Sequence, residues 1–381
     1  MSRVLVAGAG PVGLTAALTL ARGGVPVTVL EAGPGLAAES RASTFHPPTL
    51  EMLAGLGVLP ELMALGLVAR TFQYRDRRGG AIATLDMGVL AADTPYPYRV
   101  QCEQSKLTPI LMEHLVRHGG EVLFGSAVRE VLPRGGGVLV TTAGGARFAA
   151  DRLIAADGAH SAVRRALGIP FEGITYPERF LVASSDEDLD GLLPGIAPIN
   201  YVFDPGEWLV LLRTPDHWRV LLPTPGGTSD EAELARLAGR LRAVADPGRD
   251  WKVAHASLYR VHQRVAARFR HGPVLLAGDA AHVNNPLGGL GMNSGIHDAV
   301  LLAGALLQDD PGAVDAVDAV AARRRQVALQ HVRAISHGNW EKLRSADPAA
   351  HHAELRALAA DPEAARAHLL RACLITSLRE T

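Results

Sequence analysis

With 381 residues, the chain is long enough for about two domains and a large buried core. Its 48% hydrophobic and 20% charged residues describe an ordinary globular protein, and a formal net charge of -1 argues against a surface built for nucleic acid or an anionic membrane. Two cysteines, Cys102 and Cys373, are too few for a disulfide framework or a thiolate metal site, so a reducing cytoplasm and no metal are expected.

Val4, Leu5 and Val6 form a short apolar run, as in a strand buried on both faces of a parallel sheet. Gly8, Gly10 and Gly13 then fit G-x-G-x-x-G: a tight turn, backbone bared to a pyrophosphate, and close packing of helix on strand. The following Ala- and Leu-rich helix, residues 14–21, aims its N-terminal N–H groups and positive dipole end at that phosphate. A second strand ends at Glu31, about 20 residues on, where a carboxylate accepts hydrogen bonds from a ribose diol. Strand, turn, helix, strand and acid stand in register, which predicts dinucleotide binding. The apolar start does not read as a secretion signal, because Gly8, Gly10 and Pro11 interrupt it. The longest apolar run elsewhere, 299–307, is short of the ~20 residues of a membrane span.

Arg41 follows in a polar loop, and the prolines at 47 and 48 introduce a helix over 49–56. Strand-like runs at 72–74 and 81–85 around Gly79-Gly80 form a meander assigned to a second layer. Gln104 precedes a helix over 107–118, and strands are expected at 121–124 and 138–142. The strand 152–156 runs into Asp157, Gly158, His160, Ser161 and Arg164, with Ser161 placed to cap a helix over 163–167. From 170 to 270 the runs 180–182, 201–203, 208–212 and 218–222 alternate with Pro/Gly turns. They predict an antiparallel sheet with one inserted amphipathic helix, 231–244. The run 272–277 restores a buried parallel strand and delivers Asp279 to the crevice at the carboxyl end of the sheet. Pro286, Gly288, Gly289, Leu290, Gly291, Met292 and Asn293 then lead into a helix over about 294–307. The tail, 315–378, reads as a helical cover or an oligomer surface. The expected fold is α/β: a Rossmann-like nucleotide-binding domain with a parallel sheet (1–75, 100–170 and 271–310), an interleaved antiparallel-sheet substrate domain (76–99 and 171–270) and C-terminal helices (311–381).

Together the three glycine-bearing stretches resemble the class A flavoprotein aromatic monooxygenases, which have the para-hydroxybenzoate hydroxylase fold, over about residues 3–307. The resemblance implies non-covalent FAD. Gly8, Gly10, Pro11, Val12 and Gly13 would hold its pyrophosphate, Glu31 and Ala32 its adenosine ribose, and Arg41 would lie nearby. Gln104 would approach the ribityl chain, with Lys106 standing where an acid is often found. Asp157, Asp279, Pro286, Gly289, Leu290, Gly291, Met292 and Asn293 complete the implied cofactor set. Arg41, His160 and Arg164 match positions linked to NADPH or NADH. The implied activity is hydroxylation of a small or polycyclic phenolic ring, with dioxygen activated as a flavin C4a-hydroperoxide. The protein then has to position the ring, exclude water and help ionise a phenol of ordinary pKa near 10. His46, Tyr201 and His217 are available for that proton. The remaining partners are the aromatic substrate and dioxygen, with the chain a monomer or homodimer. One alternative is a flavin-dependent halogenase or other flavin oxidoreductase, although Trp208, Trp218, Trp251 and Trp340 stand apart and give no W-x-W. Another is a non-catalytic flavin-binding protein.

Overall fold

Five strands make the parallel sheet that the N-terminal motif predicts, in the order Val274–Leu276, Arg152–Ala155, Val4–Ala7, Val27–Leu30, Glu121–Leu123. The computed structural model describes residues 3–38, 42–308, 314–344 and 348–380. Every residue of Val4–Ala7 and Val27–Leu30 is buried, which is why these runs are apolar without alternation. The helix Pro11–Arg22 packs against both Gln104–Arg117 and Leu290–Leu307. The approach is close: a Cβ added at Gly295 would lie 2.7 Å from Val12 Cγ2 and 3.0 Å from Gly278 Cα. Leu290–Leu307 starts four residues before the expected 294. By length and composition it is apolar enough to cross a membrane, which the run 299–307 alone did not suggest. It is 67% buried inside the fold, so its hydropathy serves the core.

The second layer is an eight-stranded sheet. Its order is His282–Val283, Val253–Ala266, Phe171–Ser185, Trp218–Pro225, Leu209–Arg213, Ile199–Phe203, Thr71–Asp76, Gly80–Asp86. All neighbours are antiparallel except Ile199–Phe203 with Thr71–Asp76. Thr71–Asp76, placed before the expected boundary at 75, therefore belongs to the eight-stranded sheet. The 14-residue strand Val253–Ala266 was not individually legible, because its first eight residues are largely exposed and carry His255 and Arg260 without apolar alternation.

Period-two alternation divides this sheet between two cores. Leu181, Ala183, Val202, Leu209 and Leu211 face the helix Asp230–Val244 through Leu237 and Leu241. Phe180, Val182, Tyr201, Phe203 and Val210 share the opposite core with Leu343, Leu355 and Leu369 of the C-terminal helices, Arg333–Leu343, Pro348–Ala360 and Pro362–Ala372. The tail thus forms a cover. It is fastened by Asp93, whose carboxylate accepts two 2.7 Å bonds from Arg366 and one of 2.9 Å from Arg379. A small sheet joins the halves: Arg99–Gln101 pairs with both Thr44–Phe45 and Leu67–Ala69.

Candidate active site

A Cβ on Gly8 would sit 2.4 Å from the Ala156 carbonyl oxygen, and one on Gly13 2.0 Å from the Gly8 carbonyl oxygen. A Cβ on Gly10 would meet nothing within 4 Å. The outer glycines let strand and helix close on each other; the middle one leaves bare backbone at the N-terminus of Pro11–Arg22, where a pyrophosphate fits. Pro11 is the first helical residue, and Val12 wedges beneath Gly278 and Gly295. Glu31 accepts the Ala9 N–H at 2.6 Å and the Gly33 N–H at 2.8 Å. With Ala9, Gly10, Gly33, Gln104 and Thr108 it lines a groove of about 450 Å³. The Thr108 hydroxyl is buried there without a partner, as is Asp157 Oδ1 nearer the sheet. A phosphate cradle, an acid for a ribose and orphaned polar atoms suit FAD. Ala32 is exposed at the rim.

At the other end, Gly289 adopts φ 66° and caps Leu290–Leu307 from the left-handed region, which is why the helix opens earlier than expected. The first-turn N–H groups of Leu290, Gly291 and Met292 have no acceptor within the helix. The Asn293 amide nitrogen donates to the Thr44 and Gly289 carbonyls at 2.8 and 2.6 Å. Its oxygen accepts the His46 N–H at 2.9 Å and the Thr49 hydroxyl at 2.7 Å. Asn293 therefore shapes this loop, its side chain being fully used within the protein. His46 is fully buried, with Nε2 donating to the Gly288 carbonyl at 3.0 Å and Nδ1 unpartnered. Burial, reinforced by the Arg99 charge, holds its pKa well below the usual range, so it is neutral.

Beside this loop Tyr74, Tyr201 and Phe203 line a cavity of about 200 Å³, closed by Lys342, Leu343, Leu355 and His368 of the C-terminal cover. Tyr74 and Tyr201 stack with centroids 5.6 Å apart. The Tyr201 hydroxyl interacts with Arg99 and with the Gly288 backbone; burial raises its pKa, partly offset by Arg99. Arg99 is only 3% exposed. Its guanidinium lies 4.6 Å from the Phe72 ring centre, Nη2 is 3.9 Å from Cys373 Sγ, and Nε has no partner. Among the described residues no carboxylate forms an ion pair with it, and the largest charge effects on it come from Cys373 and Tyr201. His368 is pushed down to about 4 by burial and then by Lys342, Arg371 and Arg99.

The other expected residues divide. Asp279 is exposed at the carboxyl end of Val274–Leu276, and Pro286 accepts the Gly289 N–H at 2.9 Å to close the glycine turn. The turn before Asp279 is held from behind by buried Asp298, which accepts the Gly278 N–H at 3.1 Å, His282 Nε2 at 3.0 Å and Arg324 Nε at 2.6 Å. Ser161 caps its helix as expected, its hydroxyl accepting the Arg164 N–H at 2.9 Å. His160 is exposed. Arg164 is 5% exposed and donates to the Ala280 and Ala159 carbonyls, each at 2.8 Å, with its guanidinium 3.8 Å from the Phe171 ring centre. That is the geometry of a tie between segments, with one N–H of each terminal nitrogen donated to backbone. Arg41 lies outside the described residues. His217 pairs with Asp186 at 2.6 Å on a half-buried turn and lines neither cavity. Tyr74, Arg99 and Cys373 were missed in the sequence; the one available signal was a lone arginine in the buried run Arg99–Gln101.

Comparison with known proteins places this geometry. A sequence profile described as FAD binding domain matches residues 1–334. The para-nitrophenol 4-monooxygenase of Pseudomonas sp. (strain WBC-3) is 36% identical over 358 residues, 91% of this chain and 88% of the relative. The crystal structure of p-nitrophenol 4-monooxygenase from Pseudomonas putida DLL-E4 matches with a TM-score of 0.91 and 33% identity, over 97% of both chains. An aklavinone-11 hydroxylase solved with FAD and aklavinone matches with a TM-score of 0.79 and 29% identity, over 90% of this chain and 69% of that one.

Proposed function

We infer that this chain, which belongs to the FAD-binding family of class A flavoprotein aromatic monooxygenases, hydroxylates a single phenolic ring held between Tyr74, Tyr201 and the C-terminal cover. The observation that carries this reading is the glycine turn at 288–289. Its backbone meets His46 and Tyr201 on the cavity side, and the same turn opens the helix whose first N–H groups are free for a cofactor. The cavity of about 200 Å³ supports one ring, since roughly 150 Å³ holds benzene. That narrows the small-or-polycyclic expectation to the small class, in keeping with the nitrophenol-named relatives.

Bound FAD supplies acceptance of hydride from NADPH or NADH and the activation of dioxygen. The chain does the rest. The backbone at Gly10, set by the packing of Gly8 and Gly13, would hold the pyrophosphate, Glu31 would meet the ribose, and Gln104 lies along the same groove. The N–H groups of Leu290, Gly291 and Met292 favour negative charge beside them. The C-terminal helices keep water from the ring. Both thiols are free and buried, which supports a reducing, cytoplasmic setting. The test is NAD(P)H consumption by the purified yellow protein with and without a panel of phenols, with product masses. Phenol-stimulated consumption with gain of one oxygen is expected. A flavin that no phenol stimulates would favour the non-catalytic reading.

A further inference from the structure

We propose that Arg99 is the receptor for negative charge on the substrate, which places that substrate among acidic phenols bound as phenolates. The proposal rests on the hydroxylase reading above and sharpens its substrate class.

A buried guanidinium is ordinarily met by a carboxylate, a phosphate or a full set of acceptors, because desolvating it alone is costly. Arg99 has none of these. Its partners are a ring face, a thiol and a phenol hydroxyl, and its Nε is unpartnered at 3% exposure. The titratable groups that act with it are His46, Tyr74, Tyr201, Cys373 and His368. Burial raises the two tyrosines and the thiol and lowers the two histidines, so all five are neutral near pH 7. Beyond His368, Lys342 and Arg371 add positive charge. The carboxylate on the cavity wall, Glu354, is 76% exposed and therefore well solvated. The site thus holds an uncompensated positive charge beside stacked aromatic rings. A phenolate complements both features: its oxygen accepts from the guanidinium and its ring packs on Tyr74 and Tyr201.

Two candidates for the phenol proton are not placed to take it, while His351 stands on the cavity wall with Nδ1 3.3 Å from Glu354 Oε2. His46 carries its proton on Nε2 toward the Gly288 carbonyl, with Nδ1 buried, and His217 lies elsewhere. A phenol acidic enough to arrive ionised requires no side chain to take its proton.

The experiment titrates the oxidised holoenzyme, followed by flavin absorbance, with 4-nitrophenol and with its methyl ether, 4-nitroanisole, across the pH range of the phenol's own ionisation. Nitrophenol affinity should rise with pH until the phenol is fully ionised, and the ether should bind about tenfold or more weakly with no pH dependence. Arg99→Gln should weaken nitrophenol binding about tenfold or more, abolish its pH dependence and leave the ether unchanged. Arg99→Lys should recover part of the loss. Equal affinities for phenol and ether in the parent, or an unchanged nitrophenol profile in Arg99→Gln, overturns the proposal. Should Arg99→Gln lose FAD, the phenol–ether comparison on the parent decides alone. Arg99-dependent phenolate binding without phenol-stimulated NAD(P)H oxidation would keep the charge receptor and refute the hydroxylase reading. Turnover with Arg99-independent binding would do the reverse.

Discussion

The nucleotide groove and the ring cavity are built by opposite means. The groove is mostly backbone: a glycine turn, a helix N-terminus and one carboxylate, nearly all within residues 8–37, with Gln104 and Thr108 added from one further helix. The cavity draws its side chains from distant segments, with Tyr74 and Tyr201 from two stretches of one sheet and Lys342, Leu355 and His368 from the tail, and Arg99 and Cys373 are buried behind the tyrosines. Recognition through backbone demands particular conformations at fixed spacing, so it leaves a contiguous signature. Recognition through side chains demands only proximity in space.

The sharpest break of that contrast is within the fingerprint itself. Gly8→Val should fail to fold or lose more than ~4 kcal/mol, because its Cβ would strike the Ala156 carbonyl from a residue at φ 99°. Gly10→Val, with open space around it, should fold with parental stability and bind FAD about 100-fold more weakly, a change of ~3 kcal/mol. Thermal melts and flavin titration of the apo-proteins separate the two effects. Parental FAD affinity in Gly10→Val would mean that the pyrophosphate does not lie over this glycine.

Arg164→Ala comes next. Two charge-assisted bonds to buried carbonyls and a ring contact are lost, for a destabilisation of about 3 kcal/mol. The KM for NADPH or NADH should stay at the parental value. A raised KM without a stability change would return this residue to the nicotinamide role suggested by sequence.

These cases show what the sequence could carry. The parallel sheet, the Ser161 cap and the helix Asp230–Val244 were readable because each is determined by local pattern. The start of Leu290–Leu307 was placed late because a left-handed Gly289 cap cannot be distinguished by pattern from its glycine neighbours. His46 and Tyr201 were flagged by residue type alone and do meet at Gly288, whereas His217, flagged on the same ground, does not. Arg99 escaped because a charge in a short buried strand acquires meaning only once its missing counter-ion is seen. Asn293 was assigned to the cofactor by motif, but its side chain is consumed in building the loop.

The seam between the helices Pro47–Gly55 and Leu290–Leu307 predicts acid sensitivity. His297 donates to the Thr49 hydroxyl at 3.0 Å, and its pKa is pushed down to about 3 by burial and then by Arg324. The folded value lies below the unfolded one of about 6.5, so between them only the unfolded chain binds the proton. The stability associated with neutral His297 is full above that unfolded value and declines as pH falls toward the folded one, by about 1.4 kcal/mol per unit. Denaturant melts of the parent and His297→Gln at several pH values check this. The variant should lose that part of the slope, and an equal slope would show that His297 does not report the seam.

The smallest effect concerns the one residue in which backbone-built and side-chain-built recognition meet. Each Glu31 oxygen already accepts a backbone N–H, from Ala9 and from Gly33, and each has a second lone pair for a ribose hydroxyl. In Glu31→Gln one oxygen becomes an NH₂, which faces the Ala9 or Gly33 N–H donor to donor, and the charge that strengthens every bond is gone. FAD affinity should fall about tenfold, ~1.5 kcal/mol, and apo-protein stability should fall by less, because the groove is open to water and a released N–H finds a solvent partner there. Flavin titration beside an apo-protein melt gives both numbers. A loss of apo stability with FAD affinity intact would assign the carboxylate to the loop alone, and the groove would then recognise its ligand wholly through backbone.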